Sequence, residues 1–282
     1  MVRSKVGEVI PEKPEVITVT NNLKERIIGK KIVGCNIYWD NIIAYPTTNE
    51  FKKEIINQKI NNITTRGKFI VIGLDNYSLL VHLRMEGKFF FRTKNDPINK
   101  HEHVELIFSD DTSFRYHDTR KFGKMYLIPI EDTYKVKPLS LLGLEYDDNN
   151  LTKEYLYNKI HNKSLPIKTV LLDQSIITGI GNIYDDEVLF LSGINPNRKA
   201  KDITKEECEK IITNTKKVLD KAIKLGGTTI KSFTSSEGVH GLFQNELLVH
   251  GKSGKPCPKC NTILEKTRIG GRGTSYCKKC QK

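Results

Sequence analysis

Four cysteines near the end of the chain have the spacing of metal ligands. Cys257 and Cys260 form one C-x2-C pair, and Cys277 and Cys280 form a second pair after sixteen intervening residues. Two thiolates at this spacing lie on one tight turn, so two pairs can surround a single tetrahedral zinc ion. Two disulfides or a redox C-x-x-C motif are the alternatives, but the sequence shows no secretory signal and its other two cysteines stand alone. We therefore predict one structural Zn²⁺ held by all four cysteines.

Positive charge is concentrated around these cysteines. The chain has 46 Lys and Arg residues against 33 Asp and Glu residues, a formal net charge of +13. Residues 245–282 contain seven Lys, two Arg and two Glu, so more than half of the excess lies on less than a seventh of the chain. Within this stretch, residues 268–274 (RIGGRGT) form a glycine-rich hairpin tip that can bring Arg272 to a phosphate backbone. The pattern favours nucleic acid as the partner, and a membrane surface is the weaker alternative because no amphipathic helix accompanies the charge.

The length and composition are those of an ordinary globular protein. With 282 residues, of which 38% are hydrophobic and 28% charged, the chain can form two domains with separate cores. It contains no apolar run of the roughly eighteen residues that a membrane-spanning helix requires. Residues 1–10 lack the apolar core of a signal peptide. We expect a soluble cytoplasmic protein without a membrane partner.

The first half of the sequence predicts one helix followed by strands. Residues 14–28 carry an apolar stripe at helical spacing, with Pro14 in the first turn and Gly29 as the C-cap. Alternating or apolar runs then predict about eight strands and an antiparallel sandwich or barrel. The runs that we assign are residues 31–38, 68–74, 77–83, 88–92, 104–108, 113–117 and 125–130.

The second half predicts helices, beginning after a shift in composition at residues 131–145. Helical patterns cover residues 151–159, 166–174, 182–192 and 204–224, and we predict Asn182 and Thr204 as N-caps. The turn before Asn182 contains two glycines, in the stretch SIITGIGN. Its free backbone N–H groups at a helix start suit a phosphate oxygen, although a plain tight turn between helices is the alternative.

An ordered set of motifs resembles bacterial formamidopyrimidine-DNA glycosylase, from about residue 10 to the end of the chain. The motifs are IPEKPEV (10–16), RGKF (66–69), HLRMEGKF (82–89), KHEHV (100–104), DTRKFG (118–123), GIGNIYDDEVLF (179–190) and ELLVHGKSGKPC (246–257), followed by GGRGT and the cysteine pairs. The resemblance implies an α+β fold: an N-terminal β-sandwich with a flanking helix, a helix-two-turns-helix domain and a four-cysteine zinc finger, with DNA in the cleft between them. We place the boundaries at 11–132, 133–244 and 245–282, with 1–10 as a leader of doubtful status.

The resemblance also implies an activity. The family excises oxidised purines, chiefly 8-oxoguanine and formamidopyrimidines, from duplex DNA and then cleaves the abasic strand, and the damaged base has to leave the stack first. Pro11 matches the N-terminal proline whose amine attacks the sugar C1′ to form a Schiff base that proceeds through β,δ-elimination. Glu12 matches the carboxylate that protonates the opened sugar, and Glu15 a supporting acidic position. Lys68 matches the catalytic lysine that places a cation at the target phosphate.

Further positions match the family's DNA contacts. Met85, Arg120 and Phe122 match the trio that fills the gap left by the flipped base and faces the orphaned cytosine, a void that needs flat or apolar surface and a donor. Residues 232–243 resemble the segment that covers 8-oxoguanine. The remaining positions that match DNA contacts are His101, Lys168, Asn182 and Arg272.

The chain departs from the family pattern in a few places. His250 replaces a tyrosine, Lys252 replaces an arginine and Ile17 stands where a polar residue is usual. The larger departure is the ten-residue leader, because only a terminal proline offers a secondary amine. Ile10 stands at the position of the family's initiator methionine, so we expect the active form to begin at Pro11 and to act as a monomer on DNA in the bacterial nucleoid.

Two rival functions remain at this stage. A catalytically silent relative that binds damaged DNA is favoured if the leader is retained. A zinc-ribbon protein that binds RNA or the ribosome fits the charge and the cysteines, but it gives no reason for PEKPEV or for the void-filling trio.

Overall fold

The computed structural model describes residues 11–228 and 241–282, and within them the chain forms two compact units. Residues 11–140 belong to one unit, and residues 141–228 and 242–282 belong to the other. The second unit contains the helices that follow residue 150 and the four cysteines. The finer division at residues 132/133 and 244/245 stays a prediction, and the leader 1–10 lies outside the described residues.

The first unit, which we call the sandwich unit, begins with a helix and continues almost entirely as strands. Its elements are α1 Lys13–Ile27, β1 Ile32–Ile37, β2 Ile43–Tyr45, α2 Thr48–Ile55, β3 Asn62–Arg66, β4 Phe69–Gly73, β5 Tyr77–His82, β6 Lys88–Thr93, β7 Glu102–Phe108, β8 Thr112–His117 and β9 Lys124–Pro129.

Two sheets of the sandwich unit share one apolar core. One sheet has the strand order β1-β7-β8-β6 and the other the order β2-β9-β5-β4-β3, with antiparallel pairing except between β2 and β9. Alternate residues of each strand face the core, for example Leu79 and Val81 on β5 and Leu106 on β7, and α1 covers it through Val16 and Leu23. This core fixes the strand ends, and the loops that join the two sheets leave from those ends.

The second unit, which we call the helical unit, ends in the zinc-finger hairpin. Its elements are β10 Leu144–Glu145, α3 Lys153–Ile160, α4 Ile167–Leu171, β11 Ile177–Thr178, α5 Asn182–Ser192, α6 Lys205–Lys224, β12 Glu265–Ile269 and β13 Arg272–Tyr276. The finger has its own small core, in which Phe190 of α5 packs with Val249, Leu264 and two cysteines. The finger and α5 are therefore joined by apolar packing. Within residues 11–228 and 241–282, no helix combines the length and the apolar character needed to span a bilayer.

The helix ends confirm one predicted cap and correct two. Thr204 caps α6 as predicted, since its hydroxyl accepts the N–H of Glu207 at 3.2 Å. Asn182 was wrongly predicted as the N-cap of α5, because that position is Gly181 and Asn182 is the first helical residue. Gly29 lies one residue past the C-cap of α1, with φ +86°, the left-handed conformation that glycine adopts without steric cost.

Candidate active site and zinc centre

The first candidate residues lie at the start of α1, and two glutamates of this segment hold the helix start in place. The Glu15 carboxylate accepts the backbone N–H of Glu12 at 2.9 Å, and the two residues form a capping box. Both side chains are buried. Glu15 therefore fixes the backbone immediately after Pro11, which is a structural role.

Lys68 lies in a two-residue hairpin turn beside that helix start. Arg66 and Phe69 pair across β3 and β4, and Gly67 takes φ +54° at the first turn position, as a type II′ turn requires. The Lys13 Nζ donates to Thr65 Oγ1 on β3 at 3.0 Å, so it ties the start of α1 to the same hairpin. The structure thus brings the Pro11 segment and the Lys68 hairpin into one block of the sandwich unit.

Strand register places Met85 and the Arg120–Phe122 segment on neighbouring loops. Residues 83–87 lead from β5 in one sheet to β6 in the other, and residues 118–123 lead back from β8 to β9. His82 pairs with Lys124, and Lys88 pairs with His117. Because both ends of one loop are paired with the ends of the other, the two loops lie side by side. They carry all three void-filling candidates.

Both loops contain a residue in the left-handed region. Arg84, just before Met85, has φ +55°, and Lys121, between Arg120 and Phe122, has φ +59°. Non-glycine residues adopt this conformation only where neighbouring contacts hold them. The Arg120 guanidinium lies 5.0 Å from the centre of the Phe122 ring, and Phe122 is 49% exposed. An exposed ring under a cation is a surface suited to stacking on a base.

Lys121 turns to a different partner. Its Nζ lies 3.9 Å from the centre of the Trp39 ring, which belongs to the segment between β1 and β2. This contact fastens the middle of the 118–123 loop to the neighbouring sheet edge.

His101 lies in the turn before β7, beside the same loops. Its carbonyl accepts the N–H of Asp118 at 2.9 Å, and its ring centre is 5.5 Å from that of His117. Sequence reasoning missed a second histidine, His82, at the end of β5. The Nδ1 of His82 accepts the N–H of Arg84 at 3.0 Å, and burial lowers the pKa of His82 to about 3, helped by Arg84 and Lys68. His82 is therefore a neutral acceptor that holds the Met85 loop; its place in the HLRMEGKF motif was the available signal.

In the helical unit, Asn182 and Arg272 come together. The hairpin turn consists of Gly270 and Gly271, with φ +54° and +78°, and Arg272 follows it as an exposed residue. The Asn182 Nδ2 donates to the carbonyl of Gly273 at 3.2 Å. This bond ties the start of α5 to the hairpin strand directly after Arg272.

Lys168 lies in surroundings unlike those of an exposed phosphate contact, and its contact with DNA stays a prediction. Its side chain has no exposed surface, its Nζ pairs with Asp186, and the Asp185 carboxylate is 3.8 Å away. A phosphate could meet this ammonium only if the buried pair opened. Here the ammonium offsets two buried carboxylates, which holds α4 against α5.

The Asp186 carboxylate also links α5 to the finger, a contact that sequence reasoning missed. Asp186 Oδ2 accepts the N–H of Ser275 at 3.2 Å and faces His250 Nδ1 at 2.7 Å. Glu187 accepts three successive backbone N–H groups, from residues 248, 249 and 250, at 2.7 to 2.9 Å. The acidic run DDE in GIGNIYDDEVLF was the signal: Asp186 positions the hairpin that carries Arg272, and Glu187 positions residues 248–250 ahead of the first cysteine pair.

The four cysteine sulfurs converge on one point. The sulfurs of Cys257 and Cys280 are 3.9 Å apart, those of Cys260 and Cys277 are 3.5 Å apart, and all four lie within 4.8 Å of one another. Zn–S bonds of about 2.3 Å in a tetrahedron give sulfur separations of about 3.8 Å, whereas a disulfide requires about 2.0 Å. The four cysteines therefore hold one structural Zn²⁺, as predicted.

Comparison with known families covers nearly the whole chain. The formamidopyrimidine-DNA glycosylase N-terminal domain matches residues 10–125, the formamidopyrimidine-DNA glycosylase H2TH domain matches residues 142–234, and the zinc finger found in FPG and IleRS matches residues 254–282. The chain belongs to the formamidopyrimidine-DNA glycosylase family.

Individual relatives agree over the same length. The formamidopyrimidine-DNA glycosylase of Oceanobacillus iheyensis is 43% identical over 273 residues, covering 96% of this chain and 98% of the relative. That of Bacillus anthracis is 45% identical over 273 residues, covering 96% of this chain and 99% of the relative. Among solved structures, the Lactococcus lactis Fpg in complex with DNA containing an abasic site superposes with a TM-score of 0.90 at 34% identity, over 96% of this chain and 100% of that one.

Proposed function

We propose that the chain is a bifunctional DNA glycosylase and AP lyase that excises oxidised purines from duplex DNA. The observation that carries the proposal is the start of α1: Pro11 directly precedes a helix end fixed by Glu15 and Lys13, next to the hairpin of Lys68. Family membership supports the substrate class, since the solved Lactococcus lactis relatives include complexes with abasic and Fapy-dG DNA.

Pro11 supplies the nucleophile in the proposed reaction. Its secondary amine attacks C1′ of the damaged nucleoside, so that the N–C1′ bond forms while the glycosidic bond breaks. The base leaves with the bonding pair and takes up the proton that the Pro11 nitrogen loses. Glu12 protonates O4′, the sugar ring opens, and the product is an iminium. Loss of a C2′ proton then expels the 3′ phosphate, and loss of a C4′ proton expels the 5′ phosphate. Glu12 relays these protons.

The other candidates hold the DNA while this happens. Lys68 places a cation at the phosphate of the target nucleotide. Met85 and Phe122 fill the gap in the stack, and Arg120 donates to the orphaned cytosine. Residues 232–240 of the segment proposed to cover 8-oxoguanine lie outside the described residues.

The mechanism requires Pro11 to be the first residue. Inside a chain, the proline nitrogen is a tertiary amide whose lone pair is delocalised into the carbonyl. A free α-amino group has a pKa of about 8, so an appreciable fraction is neutral at pH 7. The family model begins to match at residue 10, which supports Ile10 as the equivalent of the removed initiator position.

Borohydride trapping on duplex DNA with one 8-oxoguanine opposite cytosine tests the function. We expect a protein that begins at Pro11 to form a trapped covalent complex and to cut the strand, and the chain that begins at Met1 to do neither. A Pro11→Gly variant of the short form, which keeps a free amine, is the matched control for amine chemistry without the proline ring. Trapping by the Met1 form would contradict the assignment of Pro11.

The second candidate is a catalytically silent protein that binds damaged DNA. It applies if residues 1–10 stay attached, because Pro11 then has no free amine. Lesion-selective binding without trapping, by both the short and the long form, would establish this alternative. Equal binding to damaged duplex, undamaged duplex and RNA would instead support an RNA-binding protein.

We further propose that one protein molecule binds one duplex and acts on the bacterial nucleoid. Light scattering of the complex with a short duplex checks the first statement. A mass equal to one chain plus one duplex is the expected result, and a mass with two chains would contradict it.

A further inference from the structure

Asp118 is a buried carboxylate that none of the roles above uses. It has no exposed surface, and it closes both ends of the 118–123 loop. Its Oδ1 accepts the N–H of Arg120 at 2.9 Å, and its Oδ2 accepts the N–H of Gly123 at 2.8 Å. Phe122 lies between these two anchors, so one side chain sets the course of the backbone that carries Arg120 and Phe122.

The backbone of Asp118 ties this loop to the histidine turn. Its N–H donates to the carbonyl of His101 at 2.9 Å, and its own carbonyl accepts the Nε2–H of His103 at 2.7 Å. Burial lowers the pKa of His103, so this imidazole is neutral near pH 7 and carries its proton toward the carbonyl.

Tyr116 connects Asp118 to the loop that carries Met85. Its hydroxyl donates to Asp118 Oδ2 at 3.4 Å, and burial, then Asp118, raises the pKa of Tyr116 well above its ordinary value, so the hydroxyl keeps its proton. A methyl group at Gly123 would lie 1.7 Å from this hydroxyl oxygen, and one at Gly87 would lie 2.3 Å from it. Both loops therefore rest on the Tyr116 hydroxyl, and only glycine fits at the two contacts.

We propose that Asp118, acting with Tyr116, is a positioning residue that sets all three void-filling side chains at once. It determines how the protein occupies the gap in the duplex and how Arg120 meets the opposite base. This inference rests on the proposed function. The inference goes beyond that function because it assigns opposite-base discrimination to a group that does not touch DNA.

The contacts of the carboxylate distinguish this role from general stabilisation of the sandwich. They go to the loop's own backbone and to Tyr116, whereas the pairing of β8 with β6 and β7, and of β9 with β5, uses other groups. Lys121 holds φ +59° inside the loop. Without the two Asp118 anchors, the contact of Lys121 with Trp39 is left to hold this unfavourable conformation, so the loop can shift while both sheets stay paired.

Asp118→Asn is the sharpest change, because the shape of the side chain is kept. An amide has one acceptor oxygen, so its NH2 group must face either the Arg120 or the Gly123 N–H, and one anchor becomes a repulsive contact. Asp110→Asn is the matched control. Asp110 also accepts N–H and hydroxyl donors from a neighbour in its own turn, Thr112, but it is exposed and lies at the opposite end of β8.

The experiment uses the zinc-loaded form that begins at Pro11 and measures three rates. These are excision of 8-oxoguanine opposite cytosine, excision opposite adenine, and cleavage of a single-stranded oligonucleotide with one abasic site, which has no void to fill. We expect Asp118→Asn to lower the first rate about tenfold and the cytosine-to-adenine ratio severalfold, while the single-strand rate stays within about twofold. Asp110→Asn should leave all three within about twofold.

Other outcomes are equally decisive. An unchanged cytosine-to-adenine ratio, or a parallel loss of all three rates, would overturn the inference and leave Asp118 a structural residue. If Asp118→Asn does not fold, Tyr116→Phe takes its place. A reduced cytosine-to-adenine ratio at an unchanged single-strand rate would then support the inference, and an unchanged ratio would refute it. If the parent protein itself cuts neither substrate, the proposed function fails, and the position of residues 118–123 in a crystal structure of the variant then decides the inference alone.

Discussion

The resemblance assigns Lys168 and Arg272 the same role, contact with a DNA phosphate, yet their surroundings are opposite. Arg272 is exposed at the hairpin tip, whereas Lys168 is enclosed between two aspartates. The sequence around Lys168 is the same whether its side chain is buried or exposed, because burial depends on how α4 packs against α5 and the hairpin. Spacing along one chain does not specify that packing, so residue types could be predicted here and their exposure could not.

Lys168→Ala should cost the helical unit about 3–5 kcal/mol, because it leaves two buried carboxylates without their cation. Urea unfolding of the zinc-loaded protein measures the loss. Lys216→Ala, at an exposed position of α6, removes the same charge and should change stability by less than about 0.5 kcal/mol. Equal stability of the two variants would show that the buried pair contributes nothing to the free energy of unfolding.

Arg272→Ala should weaken binding to damaged and undamaged duplex alike. A phosphate contact carries no base information, and its loss lowers the magnitude of the log–log salt slope by about one. Binding titrations at several salt concentrations measure the slope. Lys266→Ala, on the other strand of the same hairpin, removes an equal charge as a control for the general field of the finger. A loss confined to lesion DNA would mean that Arg272 reads the lesion.

At the scale of elements, regular patterns could be predicted and polar or short elements could not. The strand runs around the Asp75-Asn76 turn match β4 and β5 within one residue at each end. Strand β3 was missed because its sequence NITTR has only Ile63 facing the core. Helix α2 was missed because it is short and polar, although its Thr47 and Glu50 capping box was a usable signal. Edge and surface elements owe their structure to neighbours rather than to their own pattern.

Three histidines at strand ends make the sandwich unit sensitive to acid. Burial lowers the pKa of His82, His103 and His117, that of His82 to about 3, against about 6.5 in an unfolded chain. The folded state then binds fewer protons than the unfolded state below pH 6.5. Stability is therefore complete above that pH and falls as the pH drops toward the folded pKa, by up to about 1.4 kcal/mol per pH unit for each fully shifted histidine.

The parent protein loses stability between pH 7 and pH 5.5, and we expect His82→Asn to lose about 1 kcal/mol less over the same range. Asparagine keeps an acceptor for the Arg84 N–H but does not titrate. Urea unfolding followed by circular dichroism gives the stability at each pH. The difference between variant and parent at pH 8, where imidazole is neutral in both states, measures packing alone and is subtracted. An unchanged pH dependence would show that His82 takes up its proton as easily folded as unfolded.

At the scale of the molecule, cysteine spacing predicted the zinc finger, and the residue patterns predicted a strand-rich first half and a helical second half. The sharing of Phe190 between α5 and the finger core could not be predicted. It means that the finger is held by zinc on one side and by the helical unit on the other. The sandwich unit has a separate core of its own.

Removal of zinc should therefore abolish DNA binding while leaving the sandwich unit folded. A finger of this size has too little core to stay folded without metal. Cys260→Ser is the genetic equivalent of chelation, and Cys35→Ser, at a thiol of β1 outside the cluster, is its control. Binding titrations and circular dichroism give the two readouts. Undiminished binding by Cys260→Ser would show that the site does not depend on the metal.

The contact between Lys121 and Trp39 gives the protein an optical property. Trp39 is the only tryptophan of the chain, so all indole emission comes from one ring, and that ring lies under the ammonium of the residue between Arg120 and Phe122. Indole emission responds to a charge placed against the ring. Any movement of residues 118–123, on entry into a duplex or on return from it, therefore changes the emission of the unlabelled protein, and stopped-flow fluorescence can time this step separately from the chemistry.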